Sequence, residues 1–96
     1  MPEQVSHAVI HFSGRVQGVG FRYETRRVAQ GFEVAGVVEN LLDGRVRLEI
    51  EGLEEEARAF VRELQRQLEA YIRETEERWD RRPRQLRGFE IAPTRR

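Results

Sequence analysis

The chain has 96 residues, with 17 basic and 17 acidic side chains and therefore no formal net charge. This length allows one small domain with a modest core, and the charge balance argues against a general polyanion binder. The absence of cysteine excludes disulfides, thiol catalysis and cysteine-based zinc sites. No apolar run reaches the ~20 residues of a membrane-spanning helix, and no signal-peptide pattern opens the sequence, so we expect a cytoplasmic protein.

The alternating apolar segment Ala8–Phe12 predicts the first strand. Histidines at positions 7 and 11 fall on the face opposite Ala8, Ile10 and Phe12. A strand rises ~3.3 Å per residue, which places the two histidines about 13 Å apart, too far for one metal ion. We therefore expect His7 and His11 to be ordinary surface residues on the open face of the sheet, and no metal site.

The stretch Gly14–Arg22, which reads GRVQGVGFR, lies between this strand and a helical segment. Its glycines can adopt positive φ and turn backbone amides inward around a small ligand, and the helix start adds unpaired N–H groups. Together these features favour an anion site, most naturally for phosphate, with Arg22 placed to donate two parallel hydrogen bonds. The alternative is a glycine-rich turn that only reverses the chain, beside a solvated arginine.

A helix is predicted from Phe21 to Gln30, with Gly31 as its C-terminal stop. Its apolar stripe should face the sheet and comprises Phe21, Thr25, Val28, Ala29 and Phe32. Two strands follow, Val34–Asn40 and Arg45–Glu51, joined by a hairpin turn at Asp43-Gly44. Asn40 ends the first of these strands, and by itself it is better explained as a turn-initiating residue than as a site residue.

A second helix is predicted to open at Gly52–Glu56, with acidic residues in its first turn. Its buried stripe comprises Ala57, Phe60, Val61, Leu64 and Leu68. The helical spacing continues to Trp79 without Gly or Pro, so local physics permits either one helix from Leu53 to about Arg78 or a break near Gln67 followed by a strand. We expect Arg81–Arg84 to be a solvated loop, Gly88–Ile91 to be a closing strand, and both chain ends (1–5 and 93–96) to be loose.

The stretch GRVQGVGFR closely resembles the signature of the acylphosphatase family. A second block with the family's spacing follows, Gly36–Asn40 and then Asp43–Val46. The resemblance extends from about Ser6 to Ile91 and implies a single domain, 1–96, with a core of about 6–92. It implies an α+β ferredoxin-like two-layer sandwich (βαββαβ), an antiparallel sheet with two helices on one face. It also favours a strand over Tyr71–Trp79 instead of a longer helix.

The resemblance further implies an activity: hydrolysis of the carboxyl–phosphate bond of acyl phosphates, without metal or cofactor. By this resemblance Arg22 neutralises the phosphoryl oxygens and Asn40 orients the attacking water. The backbone amides that wrap the phosphoryl group would be those of Arg15, Val16, Gln17, Gly18, Val19 and Gly20. Three residues depart from the family's common pattern: Val37 replaces a frequent Trp, Glu39 a commonly basic residue, and Leu41 a small polar one.

The expected partners are an acyl phosphate as substrate and inorganic phosphate as product, and we expect a monomer. One alternative is a catalytically weak or silent module that only binds phosphate or another anion. Another is an RNA-binding domain, since some share this architecture, but those stack bases on aromatic side chains of the sheet. The outward positions of the third predicted strand carry no aromatic residue, so we expect no nucleic-acid partner. These positions are Arg45, Arg47, Glu49 and Glu51.

Overall fold

The computed structural model describes residues 4–93; the expectation of loose ends at 1–3 and 94–96 falls outside this range. Within it the chain forms five strands and two helices. In chain order they are β1 (Gln4–Gly14), α1 (Phe21–Ala29), β2 (Val34–Asn40), β3 (Val46–Gly52), α2 (Glu54–Gln67), β4 (Ile72–Pro83) and β5 (Phe89–Ile91). The predicted bounds of α1, β2 and β3 are matched to within a residue.

The strands form one sheet in the order β4-β1-β3-β2-β5. The neighbours β4/β1, β1/β3 and β3/β2 are antiparallel, as expected. One correction applies, because β5 pairs with β2 in parallel, with Gly36 opposite Phe89 and Val38 opposite Ile91. The fold is therefore the expected α+β ferredoxin-like sandwich, and its five-stranded sheet is mixed.

Both helices pack on one face of the sheet, as the apolar stripes predict. Inward residues of β1, Ala8, Ile10 and Phe12, are fully buried in one cluster with residues of α1 and α2. The ring of Phe12 lies 5.2 Å from that of Phe21, which opens α1. Burial of one such large apolar side chain is worth about 1.5–3 kcal/mol, so this cluster stabilises the packing of the helices on the sheet.

The ambiguous segment after α2 forms a strand, which confirms the break near Gln67. The last helical hydrogen bond, from Leu68 N to the Leu64 carbonyl, is followed by a turn bond from Tyr71 N to the Leu68 carbonyl. Strand β4 then pairs along the whole length of β1. A longer helix would have left the backbone groups on that edge of β1 without hydrogen-bond partners. The local spacing of apolar residues carries no information about this cost.

Strand β4 is longer than predicted. Arg81, Arg82 and Pro83 belong to it and pair with Ser6, Val5 and Gln4, so the prediction of a solvated loop at 81–84 is wrong for these three residues. The prediction of a loose N-terminal end is likewise wrong for Gln4 and Val5, because both lie in β1 and Val5 is buried.

The open face of the sheet holds a further correction, at His7. This residue does lie on the open face, but it is buried, contrary to the surface position predicted for it. Its ring nitrogens lie 2.6 Å from Asp80 Oδ1 and 2.7 Å from Glu49 Oε2. His11, on the same face, is only partly buried. His7 therefore ties β1 to both of its neighbouring strands, β4 and β3.

A buried carboxylate on the same face fastens the connection between β4 and β5. Glu51 is fully buried and accepts hydrogen bonds from the backbone amides of Gln85 (2.9 Å) and Leu86 (2.8 Å). Arg82 donates a third bond from Nε at 2.7 Å. Burial by itself raises the pKa of Glu51, but these hydrogen bonds outweigh it and hold the pKa below its ordinary value.

Candidate functional site

The glycine loop leaves β1 at an irregularity. The register between β1 and β4 shifts at Ser13/Gly14, and Gly14 has φ 129°. Only glycine fits there, because a Cβ would lie 2.4 Å from the carbonyl oxygen of Tyr71. The next amide, that of Arg15, donates to the same carbonyl at 2.9 Å. The expected role of the Arg15 amide in the phosphate cradle is therefore corrected, because its hydrogen bond is made to the β4 side.

Beyond Arg15 the loop turns over the core. Val16 is 1% exposed and packs into the cluster between the sheet and the helices, so it anchors the loop. Gly18 and Gly20 follow with φ 78° and 80°, left-handed values that glycine adopts without steric cost. A Cβ on either glycine would meet no atom of the described residues within 4 Å. The loop is thus held from below, while its glycines border open space.

Helix α1 begins directly at this open space. Its N-cap residue is the left-handed Gly20, and no side chain among residues 4–93 caps the first turn. The amide of Glu24 makes the helical bond to the Gly20 carbonyl at 3.0 Å. The earlier amides of an α-helix have no intrahelical acceptor, and the helix dipole adds partial positive charge at this end. The local chemistry favours an anion.

The acidic residue in the first turn of α1 does not oppose that preference. Glu24 accepts hydrogen bonds from Arg27 at 2.8 and 3.0 Å on the exposed surface of the helix. The Arg27 guanidinium holds the pKa of the Glu24 carboxyl below its ordinary value. Its negative charge is thus paired locally.

Arg22, in the first turn of α1, is held by the end of the chain's closing strand. Its Nη1 donates to the carbonyl of Ala92 at 3.0 Å. Ala92 in turn donates its backbone amide to the Val38 carbonyl at 2.9 Å, which extends the pairing of β5 with β2. A guanidinium carries five N–H donors in a rigid fork. One bond to Ala92 therefore fixes the side chain while other donors remain for a ligand.

Asn40, the last residue of β2, lies on the helix side of the sheet. The same face of β2 carries Val38, whose side chain is in the core. Asn40 is 7% exposed, and its Oδ1 has no hydrogen-bond partner among the described residues. Buried polar atoms are normally paired because an unmade hydrogen bond costs about 1–3 kcal/mol. An unpaired carboxamide oxygen at this position marks a site that a ligand or water completes.

These features meet in one small cleft of about 100 Å³. A single water needs about 10–15 Å³ of such space, so the cleft has room for a small anion together with water. Its walls join the loop, the start of α1 and the end of β2. The lining residues are Val16, Gly18, Gly20, Phe21, Arg22, Tyr23 and Asn40.

The predicted site residues are thus only partly brought together. Arg22, Asn40 and three loop residues, Val16, Gly18 and Gly20, line the cleft. Val19 is 39% exposed and is not among the lining residues. Arg15 borders a separate surface groove.

The side chain of Gln17 has a structural contact beside the backbone-amide role predicted for this residue. Its side-chain amide donates to the carbonyls of Leu41 (2.8 Å) and Arg45 (3.0 Å) at the base of the β2–β3 hairpin. The carbonyl of Arg45 also accepts the backbone amide of Leu41 at 2.8 Å. The Gln17 side chain therefore fastens the glycine loop to the hairpin that carries Asn40. Its identity as a long amide in a tight loop is a sequence signal for such a bridge.

The residues that depart from the family pattern, Val37, Glu39 and Leu41, are not among the lining residues of the cleft. Glu39 is opposite Arg47 in the register of β2 and β3, on the open face of the sheet, with a closest approach of 3.8 Å between the two side chains. Its charge is therefore on the other side of the sheet from Asn40. Leu41 contributes backbone groups to the hairpin and to Gln17.

Within residues 4–93, no group of three or more His, Asp or Glu side chains is arranged to hold a metal ion. None of its helices is long and apolar enough to cross a membrane.

Comparison with known sequences relates this chain to one protein family. The profile of the family described as Acylphosphatase matches residues 8–91. Proteins named acylphosphatase are 65% identical over 37 residues in Archaeoglobus fulgidus, which is 38% of this chain and 42% of that protein. In Thermotoga maritima the identity is 51% over 55 residues, 57% of this chain and 61% of that protein. The matched segment thus spans less than two thirds of the length of either relative.

Solved structures agree over a longer range. The crystal structure of acylphosphatase from Bacillus subtilis superposes with a TM-score of 0.81 and 30% identity, covering 91% of this chain and 98% of that one. Full-length HypF in its phosphate- and nucleotide-bound form superposes with a TM-score of 0.74 and 28% identity. That match covers 98% of this chain but only 12% of HypF.

Proposed function

The chain belongs to the acylphosphatase family, and we propose that it is an acylphosphatase that hydrolyses the carboxyl–phosphate bond of acyl phosphates to a carboxylate and inorganic phosphate. The observation that carries this proposal is the shared cleft of Arg22 and Asn40, in which the buried Oδ1 of Asn40 has no protein partner among the described residues. Neither residue alone would distinguish a reaction from anion binding.

The phosphoryl group is held by the loop and the helix start. Backbone amides of the segment from Val16 to Gly20 and of the first turn of α1 surround its oxygens. Arg22 neutralises their charge and, because Ala92 holds its guanidinium, it needs little reorganisation on binding. The Arg15 amide is not part of this cradle, since it is bonded to Tyr71.

The attacking water is placed by Asn40. The Oδ1 atom accepts a hydrogen bond from the water and directs its lone pair toward phosphorus. A carboxamide cannot remove the proton, so a phosphoryl oxygen of the substrate accepts it. The acyl carboxylate leaves without a strong general acid. Phosphoryl transfer depends chiefly on positioning and on charge stabilisation, which are the two things this cleft offers.

The alternative is a module that binds phosphate but does not turn it over. The structural likeness to HypF supports this alternative. The matched part makes up only 12% of HypF, so this fold also occurs as one portion of a much longer protein. In that case the cleft would hold an anion and Asn40 would only complete the pocket.

Steady-state hydrolysis of benzoyl phosphate by the purified chain, together with calorimetric titration of inorganic phosphate, separates the two. We expect turnover that is insensitive to a chelator. Arg22→Ala should lose phosphate binding and turnover, and Asn40→Ala should keep binding but lose about 10²–10³-fold in kcat. Arg26→Ala, on an exposed position of α1, is the matched control and should behave as wild type. Phosphate binding without turnover in the wild-type chain would establish the silent module.

A further inference from the structure

Strand β4 forms one edge of the sheet, and its only neighbour within residues 4–93 is β1. It is 12 residues long and most of its side chains are exposed. The outer backbone groups of such a strand are a template for pairing with another strand. Glu76 and Asp80 have side chains that are 76% and 65% exposed, so this edge is accessible to a partner.

The charge sequence of β4 is self-complementary about Trp79. Reading outward from that residue, Arg78 and Asp80 are opposite in sign, as are Glu77 and Arg81. The next pair, Glu76 and Arg82, is also opposite in sign. If two copies of β4 lay antiparallel with Trp79 opposite Trp79, each of these charges would face its opposite on the other copy. Asp80 and Arg82 would make these contacts in addition to their bonds to His7 and Glu51 within the chain.

The pleat of the strand agrees with this arrangement. Arg78 and Asp80 pair with Val9 and His7 of β1, so both lie on the open face of the sheet. Glu77 and Arg81 lie on the other, helix-bearing face, by the alternation of strand side chains. Each proposed charge pair therefore joins two side chains on the same face. Directly opposed residues of antiparallel strands have Cβ atoms about 4.5–5.5 Å apart, close enough to interact.

Neighbouring registers lose this match. Sliding one strand by two residues, the smallest shift that keeps the faces, sets either Arg78 against Arg78 or Asp80 against Asp80. The first shift also opposes Glu76 to Asp80, and the second opposes Arg78 to Arg82. Like charges directly opposite one another are destabilising. The sequence thus favours one register of self-pairing over its neighbours, which is the usual requirement for a specific strand interface.

Charged side chains on an edge strand can instead keep copies apart. The sign pattern argues against this function for β4, because repulsion needs like charges at facing positions and the register centred on Trp79 has none among residues 76–82. The aromatic ring at the centre also favours contact. Trp79 is only partly buried. It packs against the core, and the guanidinium carbon of Arg58 lies 4.2 Å from the centre of its ring. The outer edge of the ring would be covered by the second copy.

We propose that β4 is the dimerisation edge of this protein, pairing antiparallel with β4 of a second copy about a two-fold axis through Trp79. This departs from the monomer expected from the sequence. The axis stands perpendicular to the sheet, so the two sheets become one continuous sheet with both helical layers on the same side. The pairing uses up the β4 edge and therefore closes at two copies.

Sedimentation velocity of the whole chain over a range of concentrations tests the proposal. We expect a reversible monomer–dimer equilibrium that weakens at high salt, since exposed ion pairs are screened. Trp79 is the only tryptophan, so its fluorescence should change along the same concentration curve. A monomer at every concentration, or assemblies that grow beyond two copies, would overturn the proposal.

A charge swap locates the interface. Glu77→Arg should raise the dimer dissociation constant about 10-fold or more, because the introduced guanidinium would oppose Arg81 of the other copy, and the two-fold axis repeats that repulsion. Adding Arg81→Glu restores opposite charges and should restore the dimer. Glu69→Arg, the same charge change on an exposed residue outside β4, should leave the dimer unchanged. Circular dichroism verifies folding of each variant, and a dimer insensitive to Glu77→Arg, or not restored by the swap, would place the interface elsewhere.

Discussion

The side chain of Gln17 donates a 2.8 Å hydrogen bond to the carbonyl of Leu41, the residue that directly follows Asn40. The glycine loop and the strand end that carries Asn40 are therefore joined within one residue of the proposed water-positioning group. Such a bond can set the distance between bound phosphate and water, because a misplacement of about 1 Å is enough to cost about 10²-fold in rate.

Replacing Gln17 with Ala should loosen this connection. We expect kcat with benzoyl phosphate to fall about 10-fold or more, and the free energy of unfolding to fall by about 1–2 kcal/mol for the two lost bonds. Gln17→Glu should show the same loss of kcat, since a carboxylate cannot donate to the carbonyls of Leu41 and Arg45. Gln65→Ala, which removes one long 3.4 Å contact on the surface, is the control. Unchanged kcat in Gln17→Ala would show that the hairpin alone holds Asn40.

Gly20→Ala should damage the cleft through backbone conformation. The residue has φ 80° with nothing within 4 Å of a Cβ, so an added methyl meets no clash but is forced into a left-handed conformation that costs roughly 1–2 kcal/mol. Relaxation of the loop should lower phosphate affinity. Gly88→Ala, at φ 63° and with equal space, should lose similar stability, measured by urea unfolding, while phosphate affinity is kept. Equal loss of affinity in both variants would argue against a specific role for the loop.

Gly36→Ala should separate β5 from the sheet. A Cβ at this position would lie 2.6 Å from the carbonyl oxygen of Glu49 and 2.8 Å from the ring of Phe89. Overpacking of this kind costs about 1–3 kcal/mol. Displacement of β5 would also release Ala92, and with it the hold on Arg22, so KM for benzoyl phosphate should rise.

The matched control for that variant is Gly31→Ala. Its Cβ would meet its nearest atom at 3.6 Å, an ordinary contact, and its stability should be unchanged or slightly higher. Thermal unfolding of both variants measures the difference. A Gly36→Ala protein as stable as Gly31→Ala would contradict the close approach of β5.

The buried carboxylate of Glu51 should make stability depend on pH. Because its pKa is lower in the folded protein than in the unfolded chain, Glu51 stabilises the fold above its unfolded pKa of about 4.3. That contribution is lost as the pH falls through the folded pKa. Glu51→Gln should lower the free energy of unfolding at pH 7 by about 2 kcal/mol and weaken its dependence on pH below about 5.

Glu63→Gln is the control for this pH dependence. Hydrogen bonds from Arg66 and Gln67 lower the pKa of Glu63 to about 2. The ion pair of Glu63 and Arg66 lies at the surface, however, where solvent screens it. Its replacement should change stability little at pH 7, as urea titrations at several pH values would show. A larger effect for Glu63 than for Glu51 would contradict the assignment of Glu51 as the fastening carboxylate.

The sequence by itself determined the elements whose signals are local. The alternation of residues along the chain predicts β3 and the centre of β1, and the helical spacing predicts α1 and α2, because those periods follow from backbone geometry within a few residues. The loop Gly14–Arg22 was recognisable for the same reason, since its glycines and its arginine act through neighbouring backbone groups.

Only the tertiary structure decided what depends on distant partners. The local spacing of apolar residues fits either a helix or a strand after Gln67. The strand forms because it pairs with β1 along the whole length of β1. The burial of His7 between Asp80 and Glu49 and the use of the Arg15 amide by Tyr71 have the same origin. So does the convergence of Arg22 and Asn40 on one cleft, because contacts between residues far apart in the chain are set by how the layers pack and leave no period in the sequence.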